Sequence, residues 1–184
     1  MTWFILLILS IIIDILGILL CPILPLFSSK DGWLPKWLWW FQTPDFSLDG
    51  DGGWQKEHMQ WRFNFPPAIA TYIGRVGWLF RNHGYSFSWG VLGAPVDETT
   101  QFYVDGEINI KNRTNGIEGS FTIETETGYW QWKYIKRIGS SDMCVMLSFG
   151  WLLDAYVKNE ELYKTQPKAL FLFSPRISAF YPKQ

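Results

Sequence analysis

Apolar and polar positions fall into three regimes along the chain. Residues 3–21, WFILLILSIIIDILGILLC, are apolar on nearly every face. Nineteen residues at 1.5 Å each give roughly 28 Å of helix, close to the hydrocarbon thickness of about 30 Å. Residues 66–81 repeat with helical spacing: Pro66-Pro67 opens, Ile69, Ile73, Val76 and Phe80 share a face, and Asn82-His83-Gly84 stops the helix. From Tyr85 the period changes to two. YSFSWGVLG, QFYVDGEINI, IEGSFTIETE, GYWQWKYIKRIG, DMCVMLSFGWLL and KALFLFS read as short strands. Turn dipeptides separate several of them, as at Asp105-Gly106, Asn115-Gly116, Thr127-Gly128 and Gly139-Ser140. Within one run, Trp130, Trp132 and Tyr134 alternate with Gln131 and Lys133, which predicts a buried aromatic face and a wet polar one.

These elements predict an α+β protein. An N-terminal transmembrane helix (1–27) precedes an aromatic interfacial segment (28–43) and a globular β-rich domain (44–184) with a helix at about 66–81. The domain reads as an antiparallel meander closing into a sandwich or open barrel, covered by one or two helices. WQKEHMQWRFNF is a further short helix candidate.

Insertion energetics favour the span. Seven isoleucines, six leucines and Phe4 each contribute roughly 0.5 kcal/mol, against about 3 kcal/mol opposing from Asp14. A cleaved signal peptide is the competing reading, but Met1-Thr2-Trp3 lacks a basic start. Pro22 and Pro25 then end the helix. Lys30 and Lys36 follow the span, and no basic side chain precedes it, so the positive-inside rule predicts a cytoplasmic C-terminal domain. Trp33, Trp37, Trp39, Trp40 and Phe41, interleaved with Lys36 and preceded by Lys30, fit the headgroup zone as an interfacial belt. Packing inside the soluble domain is the other role open to these rings.

Composition narrows the function classes. The 184 residues are 48% apolar and include twelve tryptophans, which excludes a disordered polymer. Residues 28–184 carry sixteen acidic and sixteen basic side chains, so no long-range field steers nucleic acid, and none is expected as a partner. Cys21 and Cys144 make no disulfide scaffold.

The sharpest chemical pattern is Asp45-Phe46-Ser47-Leu48-Asp49-Gly50-Asp51. Asp45, Ser47, Asp49 and Asp51 match the first half of a calcium loop, with oxygen ligands at alternate positions and a glycine at the sixth. Lys56 stands where the closing glutamate belongs, and Glu57 comes one place late. The favoured reading is therefore an Asx-rich structural turn, with no cofactor; calcium is the alternative. An ion pair from Asp49 or Asp51 to Arg62, Arg75 or Arg81 would tie the loop to the helix without metal. His58 and His83 read as surface histidines. Asn112-Arg113-Thr114 is a glycosylation sequon, relevant only in a secretory lumen. No catalytic motif is found.

The stretch from Trp37 to Asp45 with Leu48-Asp49-Gly50-Asp51 resembles a small uncharacterised family encoded by tailed bacteriophages. Trp78-Leu79, Arg81-Asn82, Gly84-Tyr85, Gly150-Trp151 and Phe173-Ser174-Pro175 extend the similarity. The resemblance spans about residues 33–176. It implies a phage or prophage protein acting at the host inner membrane, or carried in the virion, and brings no activity with it. The leading expectation is a membrane-anchored accessory protein working by protein–protein interaction, in superinfection exclusion, host interference or lysis support. Its partners are the lipid bilayer and a host or phage protein. The alternatives are a minor virion protein that inserts into the host membrane and a divalent-metal-dependent envelope enzyme using the Asp45–Asp51 loop.

Overall fold

The computed structural model describes residues 2–108, 117–158 and 168–181. The chain forms two compact units, residues 1–92 and 93–184. Residues 44–92, grouped with the β-rich part on sequence, thus belong to the first unit. From Gly52 to Gly90 they are mostly helical, and Leu48, Val76 and Leu79 join the core built around Cys21, Leu24, Leu34 and Leu38.

The first unit opens with α1 (Thr2–Leu20), whose apolar side chains stay largely exposed along its length. A 3-10 turn at Leu24–Phe27 and another at Lys36–Phe41 follow. Then come α2 (Gly52–His58), a third 3-10 turn (Gln60–Asn64), α3 (Pro67–Asn82) and α4 (Tyr85–Gly90). The core gathers Cys21, Leu24, Leu34, Leu38, Leu48 and Leu79, with Leu20, Phe41 and Val76 packed around it. Helix α3 lies where the periodicity and the opening prolines predict it. The YSFSWG run forms α4 instead of a strand. Gly84 enters it at φ +71°, the Ser86 amide donates to the Gln42 carbonyl, and Ser86 and Phe87 are buried. Tertiary packing overrides the alternation there.

The second unit is β-rich. It contains β1 (Ala94–Pro95), β2 (Phe102–Asp105), β3 (Gly119–Thr125), β4 (Trp130–Arg137) and β5 (Met143–Trp151). Helix α5 (Asp154–Lys158) and strands β6 (Lys168–Ala169), β7 (Phe171–Phe173) and β8 (Arg176–Ala179) complete it. Six strands form one antiparallel sheet ordered β2-β3-β4-β5-β7, with β8 also on β5; β1 pairs with β6 separately. The two outer strands share an edge, β8 along Met143–Met146 and β7 along Phe149–Trp151. The meander is as expected, and among the described residues it stays an open sheet. The Asn115-Gly116 turn and the Asn112 sequon lie outside the described residues.

One face assignment is reversed. Along β4 the buried positions are Gln131, Lys133 and Ile135, while Trp130, Trp132 and Tyr134 are half-buried. Alternation fixes which residues share a face but not which face is covered. Here a buried polar network holds the inner face, and the rings stack on one another along the outer one. Trp132 lies parallel to Tyr134 (centroids 6.1 Å) and to its cross-strand partner Phe149 (5.5 Å), which in turn meets Phe173 at 5.6 Å.

Candidate functional site

The acidic loop is held by α3. Arg75 donates from Nε to Asp49 Oδ1 (2.7 Å) and from an NH2 group to Asp49 Oδ2 (3.1 Å). The same guanidinium donates to Ser28 Oγ and to the carbonyls of Ser29 and Lys30. One planar fork therefore fastens the Asp49 loop and the 28–30 segment to one helix. Of the three arginines weighed on sequence, Arg75 makes the pair. Asp51 caps α2, accepting from the amides of Gly53 (3.2 Å) and Trp54 (3.1 Å). Ser47 Oγ accepts from the Asp49 amide, and Asp45 is exposed. Among the described residues no three His, Cys, Asp or Glu side chains group to hold a metal ion. Asp45, Ser47, Asp49 and Asp51 thus share a loop, but Asp49 and Asp51 turn to separate partners.

Behind the loop, Arg62 donates to Gln55 Oε1 (2.5 Å), and Gln55 Nε2 donates to the Asp49 carbonyl (3.0 Å). Gln55 is buried, so this chain of polar contacts braces the loop from inside.

The aromatic segment divides. Trp33, Trp37 and Trp40 are exposed, with Trp37 at 70%, and so are Lys30 and Lys36. Trp39 is half-buried with its ring against Gly90, a packing role within the unit. Trp37 meets Phe27 edge to face at 6.0 Å. Hence Trp33, Trp37 and Trp40 keep the exposure a membrane belt requires, and Trp39 does not.

The end of α1 is built into this unit. Gly17 meets His83 so closely that a Cβ on the glycine would lie 2.7 Å from the His83 Cβ. A Cβ on Gly84 would lie 2.6 Å from Asp14 Oδ1. Cys21 and Leu24, immediately after the helix, are core residues. Asp14 therefore faces the α3–α4 corner. Helix α1 is long and apolar enough to cross a membrane.

The second unit holds a constellation that alternation hid. Gln131 Nε2 donates to Asp154 Oδ1 (2.8 Å), and Gln131 Oε1 accepts from the amides of Leu153 (2.6 Å) and Asp154 (2.7 Å). Lys133 Nζ reaches Asp154 Oδ2 at 3.4 Å. Lys133 and Lys158 place their ammonium groups 5.7 and 5.8 Å from the centroid of the Phe121 ring. Lys158 Nζ is sealed from water and finds no hydrogen-bond acceptor among the described residues. Desolvation pulls its pKa down to about 8, opposed by the charge of Asp154 and assisted by that of Lys133. The arrangement pins α5 to β4. A cavity of about 80 Å³ beside Lys133, lined also by Glu107, Glu118 and Phe121, has room for only a few waters.

A family model matches residues 1–179, α1 included. The chain belongs to DUF7338, a family of unknown function. No curated protein and no solved structure matches it. For DUF7338 the match thus runs through both units and assigns neither a reaction nor a partner.

Proposed function

We propose that this DUF7338 protein is a retained, single-span membrane protein that acts by protein–protein interaction through its β-rich unit. The carrying observation is the seat of α1. Gly17 packs on His83, and Cys21 and Leu24 lie in the core of the first unit, so removing residues 1–21 as a leader would open that core. The inclusion of α1 in the family match points the same way. The lysines after the span favour a cytoplasmic C-terminal side at a bacterial inner membrane. Similarity to tailed-phage proteins, on Trp37–Asp45 and Leu48–Asp51, favours a phage accessory role such as superinfection exclusion, host interference or lysis support. An interaction role, in preference to catalysis, is supported by the loop carboxylates, which serve an arginine and a helix cap. It is also supported by the Trp132, Tyr134, Phe149 and Phe173 row, since aromatic side chains concentrate at protein interfaces.

Fusions at Gln184 test the reading. A fluorescent protein there should glow and alkaline phosphatase should stay inactive, with the intact chain resisting alkaline extraction from membranes. Phosphatase activity without fluorescence reverses the orientation. A shortened, soluble chain removes the anchor.

A further inference from the structure

We infer that the first unit is partly sunk into the bilayer surface, with the α3–α4 corner immersed in lipid at the boundary between headgroups and acyl chains. This rests on the reading of α1 as a retained span. Depth carries the inference. Gly84 lies against Asp14 and His83 against Gly17, so the corner runs alongside the last two turns of α1. From Asp14 to Leu20 a helix rises about 9 Å, within the roughly 5–10 Å to which interfacial helices bury their apolar faces. A helix that crosses the hydrocarbon therefore carries this corner below the headgroups with it.

The side chains around the corner suit that depth. Phe80 is 59% exposed and Tyr85 44%, and α4 (YSFSWG) carries no charge. The 3-10 turn Leu24–Phe27 is likewise uncharged, and Leu26, Phe27 and Trp37 are exposed. Along the chain after α1, charge begins with Lys30, in the segment that Arg75 binds through its carbonyls. At the corner the exposed charge is Arg81, whose guanidinium lies over the Trp54 ring at 5.3 Å. Its long stem lets that head reach the headgroup zone. The intramembrane acid is also accounted for. Asp14 points at the Gly84 backbone and lies within Coulombic reach of His83, away from lipid. The occupant of this apolar collar is phospholipid, because the collar is continuous with the helix that enters it.

The full chain is reconstituted in phosphatidylethanolamine–phosphatidylglycerol vesicles, with an environment-sensitive fluorophore on single added cysteines. The variants are Ile8→Cys in the span, and Phe80→Cys and Tyr85→Cys at the corner. The wild type, whose Cys21 and Cys144 are buried, is the labelling blank. Nitroxide lipids quench either near the headgroup or at the chain end. The labels on Phe80→Cys and Tyr85→Cys should lose most of their emission to the shallow quencher, and Ile8→Cys to the deep one. Corner labels that keep their emission beside a quenched Ile8→Cys overturn the immersion and leave the span standing. An unquenched Ile8→Cys overturns the span, and the immersion with it.

Discussion

Gln131 and Asp154 grip each other through both ends of the glutamine amide: Nε2 donates to the carboxylate at 2.8 Å while Oε1 accepts the Asp154 backbone N–H at 2.7 Å. Gln131 is fully buried, and its oxygen also accepts the Leu153 amide. The start of α5 is thus capped by a side chain from the neighbouring sheet, which satisfies the Asp154 amide that a helix start leaves without an intrahelical partner.

Gln131→Ala strips the partner from the Asp154 amide and from one Asp154 carboxylate oxygen, while the Leu153 amide keeps the Trp151 carbonyl. The expected cost is about 2–4 kcal/mol. Trp132→Ala, on the half-buried outer face, should cost about 1–3 kcal/mol. Hydrogen exchange of the β4 and β5 amides reads the opening free energy of each variant. A Gln131→Ala effect below about 0.5 kcal/mol, the size of an ordinary surface change, would reverse the face assignment.

Lys158 predicts a rise in stability with pH. Its folded pKa is lowered to about 8 from 10.5. Across that window the unfolded chain holds a proton that the folded one has released, so unfolding becomes less favourable as pH increases. The urea midpoint of the second unit should therefore climb between about pH 8 and 10.5. Lys158→Met should flatten the climb and stabilise the unit below the window. A midpoint that falls across it, or an unchanged slope in the variant, contradicts the buried ammonium.

The acidic loop should be indifferent to calcium. Asp49→Asn keeps the shape but loses the charge-assisted pair with Arg75, and should cost about 1–2 kcal/mol without metal. Arg75→Ala also releases Ser28, Ser29 and Lys30 and should cost more than Asp49→Asn. Thermal melts with calcium and with chelator should coincide. A melting point raised by calcium in the wild type and not in Asp49→Asn would restore the metal reading.

Much of the fold was legible in residue order. The apolar run of α1, the prolines and stop of α3, and the turn glycines between strands each state their structure locally. The acidic loop was legible too, as an arginine-paired turn. Three features were not. YSFSWG alternates like a strand, yet its Ser86 amide goes to the distant Gln42 carbonyl, a partner no local pattern announces. Gln131 and Lys133 look wet beside three aromatic residues, and only Asp154, more than twenty positions away, makes their burial tolerable. Asp14 reads as a lone acid in lipid until Gly84 is brought beside it. In each case the deciding partner lies far along the chain.

That last contact gives a prediction with its own internal control. Gly84 has φ +71°, where an L side chain costs roughly 1–2 kcal/mol. A Cβ there also meets Asp14 Oδ1 at 2.6 Å, so Gly84→Ala must push the Asp14 side chain away as well, adding about 1–3 kcal/mol of overpacking. Asp14→Ala removes the obstacle and leaves only the backbone strain. The double variant should therefore lose less than the two single losses combined, by about 1–2 kcal/mol of coupling. Unfolding of the full chain in detergent micelles, followed by tryptophan emission, measures all four corners of the cycle. Strictly additive losses would mean that Asp14 and Gly84 do not touch, and the seat of α1 on the α3–α4 corner would have to be abandoned.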